Sequence, residues 1–263
     1  MEKSILFFDI DGTILSEETF MIPESVEKAF EAVKKKGNMI FINTGRTKCT
    51  IPDEIKALPI DGILCGCGIY LTYNNSVLFE QHLQDSQRKA FLDKMIECKV
   101  DGVLEGVNDV YFKSKNTGNR IMENMRNYVV KMGMGKTKFY DKEMCDFDKM
   151  YIFKGEESNL DEFFRYIDRE MDVIVRENDT YECVIKGYSK ATAIQQILDE
   201  FHVDKKDAYV FGDSANDMSM FEFVDHSIAM GKHDSVLDPY TEYVTKTVEE
   251  DGIWHAIEHY GLM

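Results

Sequence analysis

The sequence predicts an α/β protein: a Rossmann-like, doubly wound parallel sheet into which a second α/β domain is inserted. Three observations carry that expectation. Apolar runs alternate with an amphipathic stretch over residues 5–65, the same alternation returns after position 190, and about 100 residues between them follow a pattern of their own, within the usual size of a domain.

The first run, 5–10, is apolar but for Asp9 and ends on Asp11-Gly12-Thr13, which suits a strand buried on both faces and stopped by a turn. Pro23-Glu24 opens a helix that runs to Lys36, with Val26, Ala29, Phe30 and Val33 on one stripe and Gly37 as the stop. Second and third strands are expected at 38–43 and 62–65. This spacing implies parallel pairing through right-handed crossovers. In the middle, the pattern predicts helices at 87–98, 120–132 and 160–170, and strands at 102–105, 110–112, 149–153, 173–176 and 181–185. Beyond it come a helix at 192–201, a buried strand at 208–211, a helix at 217–223, and strand-like runs at 226–230 and 242–245. The expected division is a core domain of residues 1–82 and 186–263 and an inserted domain of 83–185.

Composition bounds the function. The 263 residues hold 31 Lys plus Arg against 48 Asp plus Glu, a formal net charge of −17, with 44% hydrophobic and 30% charged residues and four prolines. This is the composition of a globular protein with a full core. So acidic a chain repels phosphodiesters, and no nucleic-acid partner is expected. The acidity is uneven: residues 83–183 carry a net −4 and the remainder −13. Within the middle, 113–142 is basic, with Lys113, Lys115, Arg120, Arg126, Lys131, Lys136, Lys138 and Lys142 against Glu123 and Asp141. These bases form either a solvated face or a surface that steers a phosphorylated substrate. Six cysteines, at 49, 65, 67, 98, 145 and 183, include no Cys-x-x-Cys pair, so reduced thiols in a cytoplasm are expected. The first apolar run is broken at once by Asp9 and Asp11, too early for a signal peptide or a membrane span.

The chemistry concentrates at strand ends. Asp9 and Asp11 close the first strand, where open α/β sheets bind their ligands. Two carboxylates this close repel unless a cation or a shared proton relieves them, and Mg²⁺, a hard ion that prefers oxygen, is the natural relief. Thr44-Gly45-Arg46 follows the second strand and offers a hydroxyl and backbone N–H groups to a phosphoryl oxygen. Gly212-Asp213-Ser214-Ala215-Asn216-Asp217 follows a late strand with two more acids and an amide. Lys190 opens a helix and supplies the positive charge that a transferring phosphoryl group needs.

In order and in kind, these four segments resemble the four motifs of the haloacid dehalogenase-like (HAD) superfamily, and the likeness spans nearly the whole chain. The long insert between the second and third motifs resembles the Cof-type branch, whose α/β cap sits there. The resemblance implies an HAD-like fold and a set of roles. Asp9 would be the nucleophile that forms an aspartyl-phosphate, and Asp11 the acid and then base. Mg²⁺ would be held by Asp9, the backbone carbonyl of Asp11 and Asp213. Thr44, Gly45, Lys190 and Asn216 would contact the phosphoryl group, with Asp217 orienting Lys190 or a metal-bound water and Arg46 in support. The ATP-driven pumps of the superfamily carry Thr where this chain has Asp11, so hydrolysis or mutase chemistry is favoured over energy coupling.

Two departures stand out. Cys65-Gly66-Cys67-Gly68-Ile69 replaces the Asn-Gly-Ala common after the third strand, and Ala191 replaces the Gly usual after the motif lysine. The cysteine pair reads as packing rather than a redox or metal pair, His255 and His259 on a C-terminal helix as packing rather than a shared metal site, and the methionines Met122, Met125, Met132 and Met134 as core filling rather than the lining of a substrate pocket. The expectation is a cytoplasmic, Mg²⁺-dependent phosphatase of small phosphorylated metabolites, with sugar phosphates the leading class. Neither a membrane nor a nucleic acid is an expected partner, and the protein would be a monomer or small homo-oligomer. A hexose-phosphate mutase and a non-catalytic ligand-binding regulator are the alternatives.

Overall fold

A computed structural model describes residues 3–114, 120–131, 136–140, 145–176 and 179–263. Its contacts divide the chain into two compact units: residues 1–45, 53–80 and 189–263 form the first, and 46–52 with 81–188 the second.

The first unit is built on an eight-stranded sheet. Its strands are β1 (Ile5–Phe8), β2 (Met39–Asn43), β3 (Gly62–Cys65), β4 (Tyr70–Tyr73), β5 (Ser76–Glu80), β6 (Ala208–Gly212), β7 (His226–Ala229) and β8 (Tyr243–Val244), in the spatial order β8-β7-β6-β1-β2-β3-β4-β5. From β8 to β3 every pairing is parallel, with β1 flanked by β6 and β2 in the register Phe8 to Phe211 and Phe8 to Ile42. A strand so placed is covered on both faces, which is why β1 is wholly apolar and wholly buried. Leu6 and Phe8 point one way and Ile5 and Phe7 the other. Phe8 meets Phe30 of α1 (Glu24–Lys35), ring centroids 4.7 Å apart, and stacks on Phe211 at 4.3 Å. Ile5 and Phe7 join Phe41, Val210 and the Ala193, Ile194, Ile197 face of α2 (Lys190–Phe201) in the opposite core. The α1 stripe of Val26, Ala29, Phe30 and Val33 is buried as its spacing predicts.

The β4–β5 hairpin is absent from the sequence-based expectation. It pairs antiparallel with β3 and turns through Asn74-Asn75, both at positive φ, the two-residue turn whose twist matches its strands. An Asn-Asn pair between two short runs of apolar and aromatic residues, Tyr70–Tyr73 and Val77-Leu78-Phe79, was the available signal.

The second unit carries a six-stranded sheet in the order 171–176, 180–185, 149–153, 101–105, 109–112, 136–139, antiparallel except for its last pair. Strand 136–139 was not expected, and the helices span Asp85–Glu97, Arg120–Lys131 and Leu160–Ile167. A buried ionic line crosses the sheet: Lys149 lies 2.5 Å from Glu182 and 3.7 Å from Glu105, and Arg176 lies 2.9 Å from Glu182. The segment 46–52 packs here although the expected boundary put it in the core domain. Cys49 Sγ donates to Gly106 O (3.3 Å) and Thr47 Oγ1 to Glu105 Oε2 (3.4 Å). Side-chain hydrogen bonds of this kind leave no periodic trace in a sequence.

Candidate active site

β1 and β6 are neighbours, so the residues that follow them emerge side by side. The Asp9 N–H continues the ladder to Phe211 O (3.0 Å), and the residue, just past the C-terminal end of β1, is 3% exposed. From β6 the chain enters a 3₁₀ turn, Ala215–Asp217, in which Asp217 is folded back under the loop. Its Oδ2 accepts from the backbone N–H groups of Asp213 (2.9 Å) and Ser214 (3.1 Å).

Lys190 is the first residue of α2, behind a capping box in which Ser189 Oγ accepts from Thr192 N (3.2 Å) and Thr192 Oγ1 from Ser189 N (2.9 Å). An ammonium at a helix N-terminus opposes the helix dipole, so other charges must hold it there. They do: Nζ lies 2.7 Å from Asp9 Oδ1 and 2.5 Å from Asp217 Oδ1, and it donates to Asn216 Oδ1 at 3.4 Å. Burial disfavours the charged lysine, yet Asp217 and Asp9 outweigh it and hold the ammonium above its ordinary pKa.

The carboxylates feel the converse. Burial, added to repulsion from Asp217 and Asp11 and countered by Lys190, raises Asp9 from the ordinary carboxylate range to about 7. Asp213 is pushed up to about 9, first by burial and then by Asp217 and Asp9. One ammonium therefore faces more negative charge than it can neutralise.

Does this cluster suit a divalent cation? Carboxylate oxygens of Asp9, Asp213 and Asp217 lie within 4.8 Å of one another, the one such grouping of potential ligands among the described residues. Both oxygens of Asp217 are already committed, one to Lys190 and one to two N–H groups. Asp9 shares one oxygen with Lys190, so its other oxygen and the Asp213 carboxylate remain as candidate ligands. Thr13 Oγ1 donates to Asp213 Oδ1 (3.0 Å), and the carboxylate fills the space beside Gly12, where a Cβ would stand 2.3 Å from Oδ2. An all-oxygen donor set with few carboxylates is what Mg²⁺ prefers, so the residues fit the ion.

A sequence profile of haloacid dehalogenase-like hydrolases matches residues 6–257. The chain belongs to that family. YkrA of Bacillus subtilis (strain 168) is 27% identical to it over 269 residues, covering all of both chains. The 5-amino-6-(5-phospho-D-ribitylamino)uracil phosphatase YcsE of the same organism is 24% identical over 265 residues, covering 100% of this chain and 97% of YcsE. Among solved structures, the HAD subclass IIB sugar phosphatase BT4131 superposes with a TM-score of 0.82 at 27% identity, covering 99% of this chain and all of that one. The fold is HAD-like, and the protein is a phosphatase of that superfamily, a hydrolase of phosphate esters.

The remaining motif residues of this HAD-like chain take the following places. Asp11 follows β1, forms an isolated bridge with Leu15, and is close enough to Asp9 for its charge to be felt there. Thr44 is buried at the end of β2, its N–H bonded to Leu64 O (2.8 Å) and its carbonyl accepting from Cys67 N (3.2 Å), with Gly45 next in the chain. Asn216 Oδ1 also accepts from Ser214 Oγ (2.9 Å). Arg46 packs with the second unit, where it donates to Thr50 O (2.7 Å) and Tyr128 Oη (3.4 Å).

The loop that departs from the Cof pattern is tightly packed. Gly66, Cys67 and Gly68 all have positive φ, and a Cβ on Gly68 would lie 2.5 Å from Ser189 O, so the loop is pressed against the α2 cap. None of the six cysteines is disulfide-bonded. Among the described residues His255 and His259 join no grouping of potential metal ligands, and His259 stacks on Tyr243 at 4.2 Å. Of the basic stretch, Lys113, Arg126 and Lys138 pair with Asp101, Glu123 and Asp109, which weakens the steering reading for those three. Lys115, Lys142, Met132 and Met134, and the side chain of Lys136, lie outside the described residues.

Sequence reasoning missed three contributors. Thr13 and Gly12, which seat Asp213, stand inside the first motif and carried a signal. Asn43, an amide ending an otherwise apolar strand, is the third: its Nδ2 donates to Lys190 O at 3.0 Å.

Proposed function

We propose that this chain is an Mg²⁺-dependent phosphatase of small phosphorylated metabolites, sugar or sugar-alcohol phosphates first among them, acting through an aspartyl-phosphate on Asp9. The observation that carries the reading is the buried set in which Lys190 Nζ lies 2.7 Å from Asp9 and 2.5 Å from Asp217, with Asp213 beside them. A structural ion pair has no use for surplus buried carboxylates, each of which costs desolvation energy.

Asp9 supplies the attacking oxygen. Its carboxylate forms a bond to phosphorus while the ester P–O bond breaks, and Asp11 gives its proton to the departing alkoxide. Asp11 then takes a proton from water, which attacks the same phosphorus, breaks the acyl-phosphate P–O bond, and releases inorganic phosphate and free Asp9. Lys190 neutralises phosphoryl charge while Asp217 holds it in place. Thr44, the Gly45 N–H and the Asn216 amide bind the phosphoryl oxygens. Asn216 suits this role because its Oδ1 is occupied by Lys190 and Ser214, which orients its NH₂ group as a donor. Asp9, Asp213 and the Asp11 carbonyl would hold the Mg²⁺, which when bound supplies further positive charge for the transferring group.

The second unit is assigned the selection of the leaving group, as a cap. Sugar phosphates are favoured because BT4131 is a sugar phosphatase and the YcsE substrate is a phosphorylated ribityl compound. A screen of inorganic phosphate release over sugar phosphates, nucleotides, flavin mononucleotide and pyridoxal phosphate tests the class. Asp9→Asn tests the mechanism: turnover disappears while Trp254 fluorescence reports an intact fold. Activity retained above a few per cent would refute the nucleophile.

A further inference from the structure

Asn43 is the last residue of β2 and follows four apolar residues, Met39 to Ile42. It is fully buried. Burying an amide costs free energy unless its donors and acceptor are paired, and here only one end is served. Nδ2 donates to the backbone carbonyl of Lys190 at 3.0 Å and lies 3.8 Å from Met220 Sδ, while Oδ1 has no partner among the described residues. A leucine would fill the volume without leaving that acceptor unsatisfied, so packing does not account for an amide here. The bond to Lys190 does.

That bond joins two parts of the site that are far apart in sequence. Asn43 precedes Thr44, whose backbone is fixed to Leu64 and Cys67, and Lys190 is the first residue of α2. Lys190 carries its charge at the positive end of the helix, so its placement depends on anchors at both ends of the residue. Asp9 and Asp217 hold the ammonium, and Asn43 holds the main chain.

We propose that Asn43 is a positioning residue for phosphoryl transfer: its amide fixes the first turn of α2 so that Lys190 keeps its station beside Asp9. This rests on the phosphatase reading above. A displacement of about 1 Å in a catalytic constellation can cost a hundredfold in rate, so a loss of tenfold or more is expected without the bond.

The test is a double-mutant cycle read as kcat for para-nitrophenyl phosphate at saturating Mg²⁺, using Asn43→Leu, Lys190→Ala and their combination. If Asn43 acts through the lysine side chain, Asn43→Leu lowers kcat about tenfold or more in the native background and less than about twofold when Lys190 is already alanine. Equal factors in both backgrounds, or no loss in the first, overturn the proposal. Folding is checked by Trp254 fluorescence, and Asn43→Ala, which adds no bulk, carries the same cycle if the leucine variant fails to fold. Failure of both to fold also overturns it, since the amide would then serve the fold itself. The two readings fail separately: an inactive native protein, or an active Asp9→Asn, removes the phosphatase reading and this proposal with it. An active native protein with an additive cycle removes only the role of Asn43.

Discussion

Two glycines beside the site face neighbours of different stiffness, and alanine at each should separate stability from ion binding. At Gly68, with φ +92°, a Cβ would stand 2.5 Å from Ser189 O and 3.3 Å from Ala193 Cβ. Ser189 is held by its capping box, so backbone must move by at least the 0.5 Å that separates this contact from the 3.0 Å floor of real Cβ contacts. The left-handed conformation costs about 1–2 kcal/mol for alanine, and over-packing a further 1–3 kcal/mol or so. A loss of about 2–5 kcal/mol follows, roughly a 5–15 °C fall in Tm for a unit of this size. At Gly12, with φ +72°, the three close atoms, at 2.3, 2.5 and 2.9 Å, all belong to the Asp213 carboxylate. A side chain can rotate away. Gly12→Ala should therefore lose only about 1–2 kcal/mol, the conformational part, while the displaced carboxylate and its lost bond from Thr13 raise the half-saturating Mg²⁺ concentration about tenfold or more, the usual scale for disturbing a ligand's support. Trp254, the only tryptophan, lies in the first unit and reports its unfolding; turnover titrated with Mg²⁺ gives the second quantity. Equal stability losses in the two variants, or an unchanged Mg²⁺ midpoint in Gly12→Ala, would refute the reasoning.

Two further outcomes follow from the buried charges. Lys190→Met leaves Asp9 and Asp217 without their cation, so the variant should lose about a hundredfold or more in kcat while keeping measurable residual activity and, without Mg²⁺, be about 3–5 kcal/mol less stable at pH 8; the deficit should shrink at pH 5, where Asp9, raised to about 7, takes up a proton, and a Tm at pH 8 equal to that of the native protein would contradict it. Asp213, raised to about 9, and Asp9, raised to about 7, bind more protons in the folded than in the unfolded chain, so their contribution to stability is present below the ordinary carboxylate pKa and is lost as pH climbs to about 9. Mg²⁺ takes the deprotonated form, so the rise in Tm that it produces should be larger at pH 8.5 than at pH 6 by roughly 3–5 °C, the equivalent of at least a tenfold change in affinity. Equal Mg²⁺-induced shifts at the two pH values would sink this account.

Much of the core was readable because its signals are local. The buried strand 5–8 needs consecutive apolar residues, α1 needs a 3.6-residue stripe, and each leaves that period in the sequence. The hairpin of β4 and β5 was missed because its edge strand, Ser76–Glu80, has only the three-residue apolar run Val77-Leu78-Phe79, two of whose side chains are exposed, too short to mark a strand by its period. Strand 136–139 is four residues, Lys-Thr-Lys-Phe, with one large apolar side chain, too little for a pattern. The packing of 46–52 with the second unit rests on bonds from Thr47 and Cys49 to Glu105 and Gly106, more than fifty residues away.

The sequence by itself determined the chemical inventory: carboxylates at two strand ends, a hydroxyl at a third, and a lysine at a helix start. Each depends on residue type and on a local turn, which neighbours in the chain suffice to specify. Only the tertiary structure decided how those groups divide their work. Asp213 and Asp217 are four residues apart and alike in sequence, yet Asp217 spends both oxygens on Lys190 and backbone N–H groups while Asp213 is seated by Thr13 and Gly12. The same holds for Asn43, whose partner lies 147 positions away. A charge at 2.5 Å and one a few ångströms farther off play different parts, and distances of that order are set by how β1, β2, β6 and α2 pack, which no stretch of sequence contains.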